Sequence, residues 1–193
     1  MRSASLGVAI VLFDGTKLID VCGPLQVCAD ARGQIGQSAY RTQLLSLTGG
    51  PVQTDTGAVL PTRSIEGVIE DDWDTVLLSG GSSAYAAACC TKLLAAIDLL
   101  APRCRRLGSV CLGAFILAAG GHLDGRRATT HWEGCETLSN QYPTIDVVDD
   151  AIFVTDGPIW TSAGVTSGID MALAMVEEDL GRAESLRLAR SFV

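Results

Sequence analysis

The stretch Gly108-Ser109-Val110-Cys111-Leu112-Gly113-Ala114 decides the fold. An apolar strand ends in small residues, a single cysteine follows, and a glycine opens an apolar helix. That order is the layout of a nucleophile elbow, the sharp strand-to-helix turn that lifts one side chain above a parallel sheet. A helix N-terminus at the cysteine favours a thiolate through its unpaired N–H groups and its dipole. The usual elbow reads G-x-nucleophile-x-G, and Ser109 stands where the first glycine belongs. The same pattern also fits a buried, inert thiol, because cysteine often packs as a small hydrophobe.

Reading outward from the elbow, strands and helices alternate. Residues 6–13 (LGVAIVLF) form a continuous apolar run, as expected of a strand buried on both faces. A helix is expected from about Pro24, with the proline in its tolerated first turn. Residues 42–47 give a second strand, and 51–63 a short ribbon rich in β-branched residues. Residues 75–78 give the next strand, ended by Ser79-Gly80-Gly81, and one helix covers about 84–101. The elbow strand spans 106–110, and its helix continues to Ala119. A short strand at 127–130 leads to His131-Trp132 and a helix over about 133–141. Two strand-like runs flank Asp156-Gly157, a strong hairpin signal. A long helix over about 165–180 and an amphipathic helix from about Ala183 close the chain. Without a repeat or linker, residues 1–193 read as one α/β domain with a mainly parallel sheet covered by helices on both faces.

Composition sets the surroundings. The chain has 193 residues, enough for one sizeable core. Fourteen Lys and Arg against twenty-two Asp and Glu leave a net charge of −8, and no basic cluster stands out. Nucleic acid is therefore not gripped by this segment, since that affinity rests on neutralising phosphates. No apolar run is long enough to span a membrane, and no secretory leader is read, so a cytoplasmic protein is expected. Seven cysteines with no C-x-x-C pair, beside two histidines, suggest free thiols in a reducing compartment and no metal site.

Open α/β sheets place ligands at the carboxyl ends of their strands. Asp20, Gly80, Gly81, Cys111 and His131 all fall there in this reading. The two glycine amides can donate to a carbonyl or oxyanion without side-chain obstruction. A protonated Asp20 can hydrogen-bond the sulfur, and His131 can serve as base or donor. Each also has a plainer role, as a helix cap, a turn or a packed His–Trp pair.

The segments LFDGTKLIDVCGPLQV, LLSGG, GSVCLGAFILAAGGHLDGRRATTHW and DGPIWTSAGVTSGIDMALAMVEEDLGRA resemble the ThiJ/PfpI, class I glutamine amidotransferase-like superfamily. Within it they are most similar to the N-terminal domains of AraC-type transcriptional regulators. The resemblance implies a flavodoxin-like three-layer sandwich that forms a homodimer, with Cys111 as the family cysteine and Asp20 as its acidic partner. It also implies a DNA-reading region with helix-turn-helix motifs beyond Val193, absent from this chain. Isonitrile hydratases share much of the ATTHW region but commonly carry threonine after the cysteine. Leu112 stands there and has no hydrogen-bonding side chain. The Cys-His-Glu triad of true amidotransferases, and with it glutamine hydrolysis, is not expected.

Two functions follow as expectations. One is a ligand-sensing domain that binds a small nitrogenous or carbonyl-bearing metabolite near Cys111, Asp20, Gly80, Gly81, Leu112 and His131, without a cofactor. The alternative is a cysteine hydratase or hydrolase with Cys111 as nucleophile, Asp20 relaying the proton and His131 assisting. A third, reversible oxidation of Cys111, lacks an evident resolving cysteine.

Overall fold

The computed structural model describes residues 5–33 and 35–192. Residue 193, at the end of the expected last helix, lies outside them. The apolar run at the start forms strand β1 (Leu6–Val11), and helix α1 (Leu18–Asp30) follows it. Strand β2 (Tyr40–Ser46), the ribbon β3 (Gly50–Gln53) and β4 (Val59–Ser64), and β5 (Thr75–Leu78) come next. Helices α2 (Ala84–Ala88) and α3 (Thr91–Leu100) lead to the elbow strand β6 (Arg106–Val110) and helix α4 (Ala114–Ala119). Then come β7 (Arg127–Ala128), α5 (Trp132–Gln141), β8 (Asp146–Val147), β9 (Phe153–Asp156) and β10 (Ile159–Ser162). Helices α6 (Ser167–Leu180) and α7 (Arg182–Ser191) complete the order.

The main sheet runs β3-β4-β2-β1-β5-β6-β10-β9. Its five central pairings are parallel, and only the ribbon β3–β4 and the hairpin β9–β10 at the two edges are antiparallel. Residues Ala9, Val11, Val76 and Leu78 pack beneath α2, α3 and α4. On the opposite face Ile10, Leu12, Leu77 and Val110 meet Val21 of α1 and Met171 and Met175 of α6. This is the expected flavodoxin-like, three-layer arrangement, and β1 is buried on both faces as its unbroken apolar run requires.

Three boundaries differ from the sequence reading. Helix α1 begins at Leu18, so Pro24 lies inside it and not in its first turn. The start is set from outside the helix: the Asp55 carboxylate accepts the Leu18 N–H at 3.0 Å. The single helix expected over 84–101 is two, because Cys90 adopts an extended conformation between α2 and α3. The strand before His131 is only Arg127–Ala128 and pairs with β8 in a separate two-stranded sheet, not with the main one.

A buried ionic cluster ties the amino end of the sheet to the C-terminal end of α6. Arg106, 2% exposed, binds Asp179 at 2.8 Å and Glu178 at 2.8 Å. The Tyr40 hydroxyl donates to the same Asp179 carboxylate at 2.8 Å, and Arg105 reaches it at 2.6 Å. These donors hold the Asp179 carboxyl below the usual range despite the opposing effect of burial. Replacing Arg106 by Met is expected to destabilise the fold by about 3 kcal/mol in urea titrations. That is the low end for a broken buried pair, because Arg105 and Tyr40 still reach Asp179.

Candidate functional site

The strand order reverses between β1 and β5, since the chain leaves β1 toward β2 on one side and returns to β5 on the other. Open α/β sheets bind ligands at the carboxyl ends of strands at such a point. Asp20 reaches this edge from the first turn of α1, Gly80 and Gly81 from the loop after β5, and Cys111 from the end of β6. The three segments meet closely. A Cβ on Gly80 would lie 2.6 Å from the Val110 carbonyl, 2.7 Å from Asp20 Oδ2 and 2.7 Å from Cys111 Cβ. Only glycine fits there.

Cys111 itself sits in the left-handed region at φ 57°, as an elbow demands. For a side-chain-bearing residue this conformation costs on the order of 1–2 kcal/mol, which the surrounding bonds must hold in place. Its N–H donates to the Ala163 carbonyl at 2.8 Å, and its carbonyl accepts the Thr130 hydroxyl at 2.8 Å. The β10–α6 loop that supplies Ala163 carries a second outlier, Val165 at φ 46°. Nothing in the sequence marked Thr130, Ala163 or Val165 as supports of the cysteine. Their roles arise from where the loops fall, not from residue type.

The electrostatics correct one expectation. The turn at Cys111 does not favour a thiolate; the thiol is pushed up to about 11. Burial is the main cause, and the neighbouring Asp20 charge adds to it, while the Leu112 and Gly81 N–H groups pull it down less. Helix α4 begins only at Ala114, after a 3-10 turn over Cys111–Gly113, and has six residues, so its dipole is small. Asp20 is fully buried, and among the described residues neither of its carboxyl oxygens makes a hydrogen bond of good geometry. Its pKa rises from 3.8 to about 6, chiefly through burial, with the adjacent Cys111 thiol and Lys17 opposing. Near neutral pH the pair is therefore a carboxylate beside a protonated thiol.

The remaining candidates occupy the rim. The Leu112 side chain packs against Gly134, where an added Cβ would come within 2.8 Å of it, and its amide faces the sulfur. His131 is the N-cap of α5, its Nδ1 accepting the Glu133 N–H at 3.4 Å, and its ring lies against Gly164. Among the described residues it makes no hydrogen bond to Cys111 or Asp20. His131 and Glu133 form a His-x-Glu pair, with Nδ1 3.6 Å from the Glu133 carboxylate. With the imidazole used as a cap and no bond to the sulfur, the pair does not complete a triad. Tyr85 of α2, which the sequence reading left unmarked, packs its ring on Phe115 at 4.6 Å, and burial pushes its hydroxyl up.

Two outcomes follow from these charges. Cys111 should alkylate with iodoacetamide at pH 8 on the order of 100-fold more slowly than a free thiol, and Asp20→Asn should speed it. Asp20 holds its proton more tightly folded than unfolded, so its favourable contribution is full below pH about 4 and lost as pH rises through about 6. Asp20→Asn should thus stabilise the chain by about 1–3 kcal/mol at pH 7 and by little at pH 4, measured by urea denaturation.

Comparison with known proteins agrees with this fold. The model of the "DJ-1/PfpI family" matches residues 7–178. The isonitrile hydratase of Pseudomonas putida is 31% identical over 180 residues, covering 92% of this chain and 73% of the hydratase. The HTH-type transcriptional regulator CdhR of Pseudomonas aeruginosa is 32% identical over 161 residues, covering 80% of this chain. The chain spans 45% of CdhR and 50% of the regulator GbdR, about half the length of each. Among solved structures, a ThiJ/PfpI family protein from Pseudomonas syringae superposes with a TM-score of 0.83 at 28% identity, over 96% of this chain and 73% of that one. An AraC family transcriptional regulator from Pseudomonas putida shares the fold with a TM-score of 0.78, at 21% identity over 97% of this chain and 100% of that one. The chain belongs to the DJ-1/PfpI family.

Proposed function

We propose that this chain is the ligand-sensing domain of an AraC-type transcriptional regulator and binds a small metabolite in the Cys111 crevice. The observation that carries this reading is the fully buried Asp20 carboxyl, without a hydrogen-bond partner among the described residues, beside the buried Cys111. A buried carboxylate without a firm partner, beside a protonated thiol, offers recognition chemistry and no ready nucleophile. Asp20 accepts hydrogen bonds from a nitrogen-bearing ligand, and the Gly80 and Gly81 amides donate to a carbonyl. Relatives that are HTH-type regulators support the reading, since each matches over about half its length and leaves the rest for another domain. In this reading 1–193 is one domain of a cytoplasmic homodimer, and DNA contact lies in a helix-turn-helix region beyond residue 193. The −8 charge is in keeping with that division of labour. Ligand binding shifts the dimer between states only to the extent that it favours one of them.

The hydratase reading has one specific observation in its favour, the match over most of the length of an isonitrile hydratase. Leu112 and the raised thiol weigh against it.

A metabolite panel followed by thermal denaturation separates the two. At 100-fold excess over its Kd, a ligand should raise the midpoint on the order of 5–10 °C. The shift should survive Cys111→Ala and disappear in Asp20→Ala. Steady conversion of an isonitrile to its formamide, abolished by Cys111→Ala, would instead establish the enzyme.

A further inference from the structure

Asp55 lies at the tip of the β3–β4 ribbon, yet it grips the entry to α1 at three points. Its backbone N–H donates to the Thr16 carbonyl at 2.9 Å, its Oδ1 accepts the Leu18 N–H at 3.0 Å, and its Oδ2 lies 3.6 Å from Lys17 Nζ. Lys17, the N-cap residue of α1, makes no side-chain cap of its own. The cap comes instead from Asp55, across 37 residues of chain. On its other side the same turn is tied to the β5–α2 loop, through the Lys17 N–H donating to the Gly80 carbonyl at 3.0 Å. Asp20 follows three residues after Lys17, and its carboxyl packs against the Gly80 backbone.

We propose that Asp55 and Lys17 are positioning residues for the Cys111 site. The ribbon carboxylate fixes the α1 turn that carries Asp20, and the ion pair sets the electrostatic field around the Asp20 carboxyl. The groups facing that carboxyl are few. Cys111 comes from the elbow, Lys17 from the same turn and Asp55 from the ribbon. The β5–α2 loop presents the uncharged Gly80 N–H, and α6 meets α1 through the apolar Ile169 against Gly23. The two charges of the bridge act on Asp20 in opposite directions, Lys17 downward and Asp55 upward. A bridge that merely held the fold together would give the same result whichever half was removed. A bridge that sets the field gives opposite results.

The measurement is a carbon-13 NMR titration of the Asp20 carboxyl in labelled protein, assigned with Asp20→Asn. Lys17→Met should raise the Asp20 midpoint from its wild-type value and Asp55→Asn should lower it, each on the order of half a unit. The double variant should return close to wild type. Asn retains an oxygen that accepts the Leu18 N–H, so Asp55→Asn removes the charge and keeps the cap. Asp55→Ala removes both, and the Leu18 amide should then exchange with solvent roughly five- to tenfold faster than in Asp55→Asn. Shifts of equal sign, or no shift in either single variant, overturn the electrostatic role. Equal exchange in the Ala and Asn variants overturns the positioning role. No ligand is present in either experiment, so these results stand apart from the success or failure of the sensor reading.

Discussion

Everything at the carboxyl edge of this sheet depends on how closely three segments approach one another at Gly80. The end of β6, the first turn of α1 and the loop after β5 meet where not even a methyl group fits. Interiors this tightly packed transmit displacements instead of absorbing them. The left-handed backbone at Cys111 is sustainable only because that packing, with the Ala163 and Thr130 hydrogen bonds, leaves the turn no alternative. Close approach also excludes water from Asp20, and dehydration is what raises both the carboxyl and the thiol.

That arrangement separates geometry from reactivity. An elbow lifts its side chain into a crevice whatever the charge state of that side chain. Whether the cysteine attacks depends on burial and on neighbouring charge, and here both disfavour the thiolate. A histidine able to take the proton would change the balance, but His131 spends its imidazole on capping α5. A conserved shape can therefore host sensing in one chain and turnover in another without moving a strand.

Much of the fold was legible because its signals are local. The unbroken apolar run of β1, the Asp156-Gly157 turn and the elbow each announce themselves within a few residues, and the alternation of strand and helix fixes the layers. The misreadings share one cause, which is interaction at a distance. Pro24 looked like a helix start because the actual cap, Asp55, lies 37 residues away. The break at Cys90 and the small β7–β8 sheet likewise answer to packing partners that a sequence window does not contain. At the site, Asp20, Gly80, Gly81 and Cys111 were expected at one sheet edge because each follows a strand. The direction of the cysteine's pKa could not, since the helix dipole is visible in sequence whereas burial is not.

Asp20 is the point where stability and function pull apart. A carboxylate kept dry and without a firm hydrogen-bond partner destabilises the folded state above its unfolded pKa, so packing alone gives no reason to keep it. Asparagine has nearly the same shape and carries no charge, and it would satisfy the fold better. A carboxylate at this position makes physical sense if something entering the crevice supplies the donors that the protein withholds. Binding would then recover part of the desolvation cost, so the penalty in the free protein becomes affinity in the bound one. Such an exchange favours ligands with N–H or cationic groups over purely apolar ones, whichever of the family's activities this chain performs.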